Sequence, residues 1–168
     1  MNVVFYVSGA VAVITTAVAI TRRNAAHALL YLVVSLLAVA LVFYALGAPL
    51  AAALEVIIYA GAIMVLFVFV IMMLGAAGAQ GEGSLKSVRL WILPAALCLL
   101  LAGELAFLLA RNPAGRTGPG EVAPGAVGVA LLGPYVLGVE LASILLLAAL
   151  VAAYHLGRRD APGEEGGA

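Results

Sequence analysis

Three glutamates, Glu55, Glu104 and Glu140, each stand inside a long apolar run that holds no lysine or arginine. A charged carboxyl costs a few kcal/mol at the centre of a bilayer, so such a group faces protein or water and by default marks a functional position. The chemistry open to it is proton exchange along a hydrated seam. The plainer reading is a carboxyl that leans toward the membrane interface or bonds a neighbouring helix, and sequence leaves both open. Tyr59 follows Glu55 by four residues, so on a regular helix the two share a face that Ala62 and Leu66 continue. Both could touch one file of water, or Tyr59 could be a buried aromatic whose hydroxyl bonds a neighbour. Gly61, between Ala60 and Ala62, permits close helix packing. It also weakens the helix, which favours a π-bulge with i to i+5 bonds of the kind found mostly at functional sites.

Little else in the chain has reactive chemistry. Cys98 is the only cysteine, which rules out an intrachain disulfide and a thiolate cluster for zinc or iron and sulfur. His27 and His155 fall at helix ends, where a helix dipole would favour a cation, and they lack the further ligands a haem or metal would need. No glycine-rich phosphate loop, catalytic triad or HExxH motif is present. No catalytic site and no metal site is expected.

The elements that position these residues follow from composition. Of 168 residues 66% are hydrophobic and 10% charged, with a mean hydropathy of +1.23; a water-soluble domain is roughly 45–50% apolar and about 25% charged. The chain is therefore an all-α integral membrane protein. Eight basic and eight acidic residues cancel, which leaves no basic face for nucleic acid. A crossing helix needs about 20 mainly apolar residues, and five stretches qualify: Val3 to Thr21, Ala28 to Leu46, Leu50 to Ala76, Leu90 to Ala110, and Pro134 to Leu156. Their apolar runs are continuous, without the period-two alternation of a barrel. Residues 1–156 form one five-helix domain on this reading, and 157–168 form a short polar tail without fixed structure.

Arg22, Arg23, Lys86, Arg89, Arg158 and Arg159 follow the first, third and fifth spans, whereas only Arg111 and Arg116 lie on the other side. The positive-inside rule then puts the N-terminus outside and the C-terminus in the cytoplasm. No basic residue precedes the first apolar run, so that run is an uncleaved helix and not a secretory signal. GAPL, between spans two and three, makes a tight antiparallel hairpin, while GAAGAQGEGS and RNPAGRTGPGEVAPG read as surface loops. Counted from the outer ends, all three glutamates lie roughly 7 to 10 Å deep. No inverted repeat of the transporter kind is visible.

The third span with its lead-in, AALEVIIYAGAIMVLFVFVIMML, resembles the third helix of the J-subunit family of proton-pumping NADH:quinone oxidoreductase, respiratory complex I, whose mitochondrial counterpart is subunit 6. NAAHALLYLVVSLLAVALVFYALGA at 24–48 and LLGPYVLGVELASILLLAALVAAYHLGRR at 131–159 are similar to the same family, in order and spacing. The resemblance implies a non-redox, five-helix subunit of the bacterial inner membrane. It implies a π-bulge over Tyr59 to Met64, and candidate gating positions at Tyr59, Gly61, Met64 and Val65. It also carries a proton-path role to Glu55 and Glu140. Glu104 lies outside the resembling blocks and stands as a candidate on its chemistry alone. Implied partners are the K, A, H and N type membrane subunits. This chain would bind no cofactor, while the complex uses NADH, FMN, iron–sulfur clusters and a quinone. The alternative, from composition alone, is a small proton-coupled transporter or a membrane scaffold.

Overall fold

The computed structural model describes residues 2–74, 88–111 and 120–158. The 75–84 loop, most of the RNPAGRTGPGEVAPG loop and residues 159–168 of the tail lie outside the described residues. Within them the structure is helical throughout: α1 (Asn2–Thr21), α2 (Ala25–Ala45), α3 (Pro49–Met73), α4 (Val88–Arg111), α5 (Pro124–Leu132) and α6 (Val136–Gly157). All but α5 contain a stretch long and apolar enough to cross a membrane, as the five apolar runs predict. The chain divides into two compact units, 1–124 and 125–168.

Local chemistry explains where the observed ends depart from the expected ones. Helix α2 begins three residues before Ala28 because Asn24 caps it, its Oδ1 accepting from the N–H groups of Ala26 (3.0 Å) and His27 (3.3 Å). Helix α3 begins at Pro49, whose missing N–H costs nothing in a first turn. Pro134 and Tyr135, expected as the start of the last span, belong instead to a turn before α6, closed by Tyr135 N–H on Ala130 O (3.1 Å) and Val136 N–H on Gly133 O (3.2 Å). The expected loop overlaps the short helix α5, which opens on Pro124. Pro134, which disfavours helical geometry at Gly133 and has no N–H to give, separates α5 from the span proper.

The core of the first unit is the seam between α1 and α2. Val4, Ser8, Val11, Thr15 and Ala19 are buried on α1, and His27, Tyr31, Val34, Ala38 and Leu41 on α2. Both series advance by three or four residues, the spacing of interlocked helices. Many of these side chains are small, which lets two backbones approach closely where lipid supplies no hydrophobic drive. Hydroxyls join the helices: Thr16 Oγ1 and Ser35 Oγ lie 2.6 Å apart, and Ser35 also donates to Ala12 O at 3.0 Å. Leu101 and Leu108 of α4 complete this core. Helix α3 lies along α2 through both its halves.

His27 falls in the first turn of α2, buried, with Nε2 lacking a partner among the described residues. Its placement where the dipole favours a cation is therefore corrected, because a helix N-terminus carries the positive end. His155 does lie in the last turn of α6.

Candidate functional site

The second half of the α2–α3 hairpin turn is fixed before α3 begins. Gly47 has φ +80°, and a Cβ there would lie 2.9 Å from Gly120 O. The Gly47 carbonyl accepts from Val122 N–H at 2.9 Å, so the segment after α4 is pinned onto the hairpin. Only glycine fits this combination of left-handed backbone and close approach.

Helix α3 is not regular. Between α-helical ends at Pro49–Leu54 and Met64–Met73, residues Glu55–Ile63 form a π-helix. At its start Glu55 N–H still reaches Ala51 O and Ala52 O. At its end Met64 N–H reaches Tyr59 O, the i to i+5 bond, together with Gly61 O. The expected bulge over Tyr59 to Met64 is thus present, but the widened section starts four residues earlier, at Glu55. Gly61 suits this geometry, since a Cβ there would lie 3.1 Å from the Val56 carbonyl oxygen, five residues back. In an α turn the carbonyl four residues back would take that place, so the approach of Val56 O marks the widened register.

The wide turns change which residues face α2. Each π residue advances the helix by roughly 80–85° where an α residue advances it by 100°. The seam expected from α periodicity is kept only in part: four π steps leave Tyr59 within about 40° of Glu55, whereas Ala62, seven steps on, turns well off that face and is exposed, and Leu66 is 61% exposed. The sheltered line runs instead through Ala52, Glu55, Ala60 and Met64, of which Met64 is only 7% exposed. The steps from Glu55 to Ala60 and from Ala60 to Met64, five and four residues, average more than four per turn. Val65, the next residue, is 63% exposed. The Pro49 end of α3 borders an apolar cavity of about 380 Å³ shared with Leu41 and Tyr44 of α2 and Leu101 of α4.

The three glutamates have different surroundings. Glu55 is half-buried on α3. Glu140 is exposed on α6, none of whose residues is buried, and it belongs to the second unit. No hydrogen bond within the chain engages either carboxyl among the described residues. Glu104 of α4 is bonded, its Oε2 accepting from Ser8 Oγ of α1 at 2.7 Å. Ser8 is fully buried. Tyr59 is half-exposed within this chain. Sequence gave no reason to single out Ser8, Thr16 or Ser35; the available signal was a small hydroxyl at the three-four spacing of α1 and α2.

These features define a polytopic α-helical membrane protein with a π-helical section inside its third span. The chain belongs to the family described as NADH-ubiquinone/plastoquinone oxidoreductase chain 6, whose model matches residues 15–156. It is 56% identical over 164 residues to NADH-quinone oxidoreductase subunit J of Pseudomonas aeruginosa, covering 96% of this chain and 99% of that one. It is also 48% identical to the protein of that name from Escherichia coli K12 (98% and 90% covered). With the one from Buchnera aphidicola of Acyrthosiphon pisum it shares 45% identity (94% of each).

Proposed function

We propose that the chain is a non-redox membrane subunit of a proton-pumping NADH–quinone oxidoreductase, in which the π section of α3 couples quinone reduction to proton passage. Near end-to-end similarity to relatives named as subunit J of that enzyme supports the membership. The observation that carries the coupling is the bond of Met64 N–H to Tyr59 O with Gly61 between them. A π section differs from an α-helix by extra residues in the turn, so converting it rotates one end against the other by roughly 100° per residue absorbed. The outer end is held by the Gly47–Val122 bond just before it. The part from Met64 to Met73 is then the part that turns, exchanging Met64 for a neighbour such as Val65 on the face toward α2.

In this reading Glu55 and Tyr59 border the path on α3, and Glu140 of α6 is a further candidate for proton exchange. Glu104 has a different task, taken up below. NADH, FMN, the iron–sulfur clusters and the quinone are handled by other subunits, and neighbouring K, A, H and N type subunits complete the path. The chain sits in the bacterial inner membrane as one five-helix domain, with its N-terminus outside and its C-terminus in the cytoplasm, the orientation that six of the eight basic residues favour.

Deleting the gene tests the membership. Quinone-linked NADH oxidation and proton uptake by membrane vesicles should both fall to background, and unchanged rates would overturn the reading. A self-contained transporter would instead move protons when the purified chain alone is placed in liposomes.

A further inference from the structure

We propose that the groove between α1 and α4 around Glu104 seats a transmembrane helix of another subunit, and that this helix carries a lysine or arginine at the level of Ser8. The inference rests on the membership proposed above but not on any movement of α3.

The carboxyl is presented rather than merely tolerated. Ser8 Oγ donates to Oε2 at 2.7 Å, and Ser8 is fully buried, so one oxygen of Glu104 is fixed in place. The other oxygen, Oε1, has no hydrogen bond and no ion-pair partner among the described residues. Glu104 lines an open groove of about 610 Å³, together with Val3 and Val4 of α1 and Leu99, Leu100, Gly103 and Phe107 of α4. Glu104 is the only charged residue in that lining. A carboxylate facing apolar surroundings inside a span is normally paired.

Charge complementarity points to a cation, and the chain cannot supply it from its own spans. None of the five candidate spans contains a lysine or arginine; all eight stand beyond their ends. Neither α6 nor a second copy of the chain therefore brings a basic group to this depth. Ser8 lies six residues inside the Asn2 end of α1 and Glu104 seven inside the Arg111 end of α4, so the pair sits roughly 9–10 Å from those ends. The ammonium of a lipid headgroup would have to leave the interface by that distance to reach it. A side chain on a helix reaches it without cost in position. The groove also has the floor a helix needs: a Cβ added at Gly103, next to Glu104, would meet nothing within 4 Å. Bare backbone of this kind lets a second helix approach closely.

The test uses the assembled complex in its native membranes, with Cys98→Ser to remove the chain's one thiol and Leu99→Cys at the rim of the groove, where Leu99 is 77% exposed. Photo-crosslinking from a benzophenone maleimide at that thiol should join a span of a different subunit that holds a lysine or arginine. Adducts only to lipid, to this chain's last span, to a second copy, or to a span without a basic residue would each overturn the proposal. Retention of the subunit in detergent-solubilised complex gives the second readout. Glu104→Lys should weaken retention roughly 3- to 20-fold, and exchanging the partner's basic residue for Glu should restore it in the double variant. A double variant no better than the single ones also overturns the proposal. NADH–quinone activity of the same unmodified membranes is measured alongside, since its absence would refute the membership and not the groove.

Discussion

Gly61 is the position at which the π section can be biased without touching its polar residues. A Cβ there meets Val56 O at 3.1 Å, whereas ordinary contact begins at 3.4 Å, so Gly61→Ala forces the widened turn to give by a few tenths of an ångström. That costs about 1 kcal/mol, the lower end of overpacking penalties. An α register takes Val56 O out of reach of the new methyl and sets Ile57 O beneath it at the ordinary spacing of a helical side chain, so the excess crowding falls on the π register. Alanine's helix propensity, about 1 kcal/mol better than glycine's, acts on both registers. The π-to-α ratio should drop about 5-fold for Gly61→Ala and, with a β-branched side chain costing about 2–3 kcal/mol, roughly 30- to 150-fold for Gly61→Val. Proton uptake coupled to NADH oxidation in vesicles reads the consequence, with immunoblotting of the purified complex to establish assembly. The alanine variant should keep most of its turnover, and the valine variant should assemble yet lose most coupled turnover. An assembled valine variant that pumps at the normal rate would refute the argument.

Gly47→Ala places a methyl 2.9 Å from Gly120 O at a φ of +80°; it should destabilise the subunit by about 1–3 kcal/mol, seen as a lower midpoint in denaturation with sodium dodecyl sulfate. Ser35→Ala removes the 2.6 Å contact to Thr16 and should cost about 0.6 kcal/mol, with about 1.7 as the upper limit, by the same measurement. Asn24→Ala removes the side-chain cap of α2 and should cost about 1 kcal/mol; hydrogen exchange should show faster opening of the Ala26 and His27 amides. Glu55→Gln keeps the shape of the half-buried side chain but abolishes proton exchange there, so protons moved per NADH should fall while NADH oxidation through the earlier redox steps persists.

The spans were legible because about 20 apolar residues in succession admit few structures in lipid. Their ends were less so. Asn24 moved the start of α2 outward through a side-chain cap, and Pro134 moved the start of α6 inward by lacking a donor, both of them local effects that a hydropathy window averages away. Helix α5 was missed because PGAVGVALL, which opens on Pro-Gly and is followed by Gly-Pro, satisfies the signals for a loop and for the start of a span. At the candidate site Gly61 announced a weak turn, and family likeness located the bulge, but the length of the π section was hidden. Continuing the Glu55–Tyr59 face through Ala62 and Leu66 assumes 3.6 residues per turn, and the extra residues in Glu55–Ile63 moved the sheltered position to Met64. The Ser8–Glu104 bond joins residues 96 apart. No local pattern encodes such a pairing; only the packing of α4 on α1 brings it about.

The central claim is that residues 55–63 change register as the enzyme works. Electron cryomicroscopy of the assembled complex, frozen idle and again during steady NADH oxidation, reads that register directly from the backbone. The account predicts two populations: one with Met64 N–H bonded to Tyr59 O, the other with that amide bonded to Ala60 O and Met64 turned away from α2. A single π register in both preparations, with proton pumping intact, would contradict it.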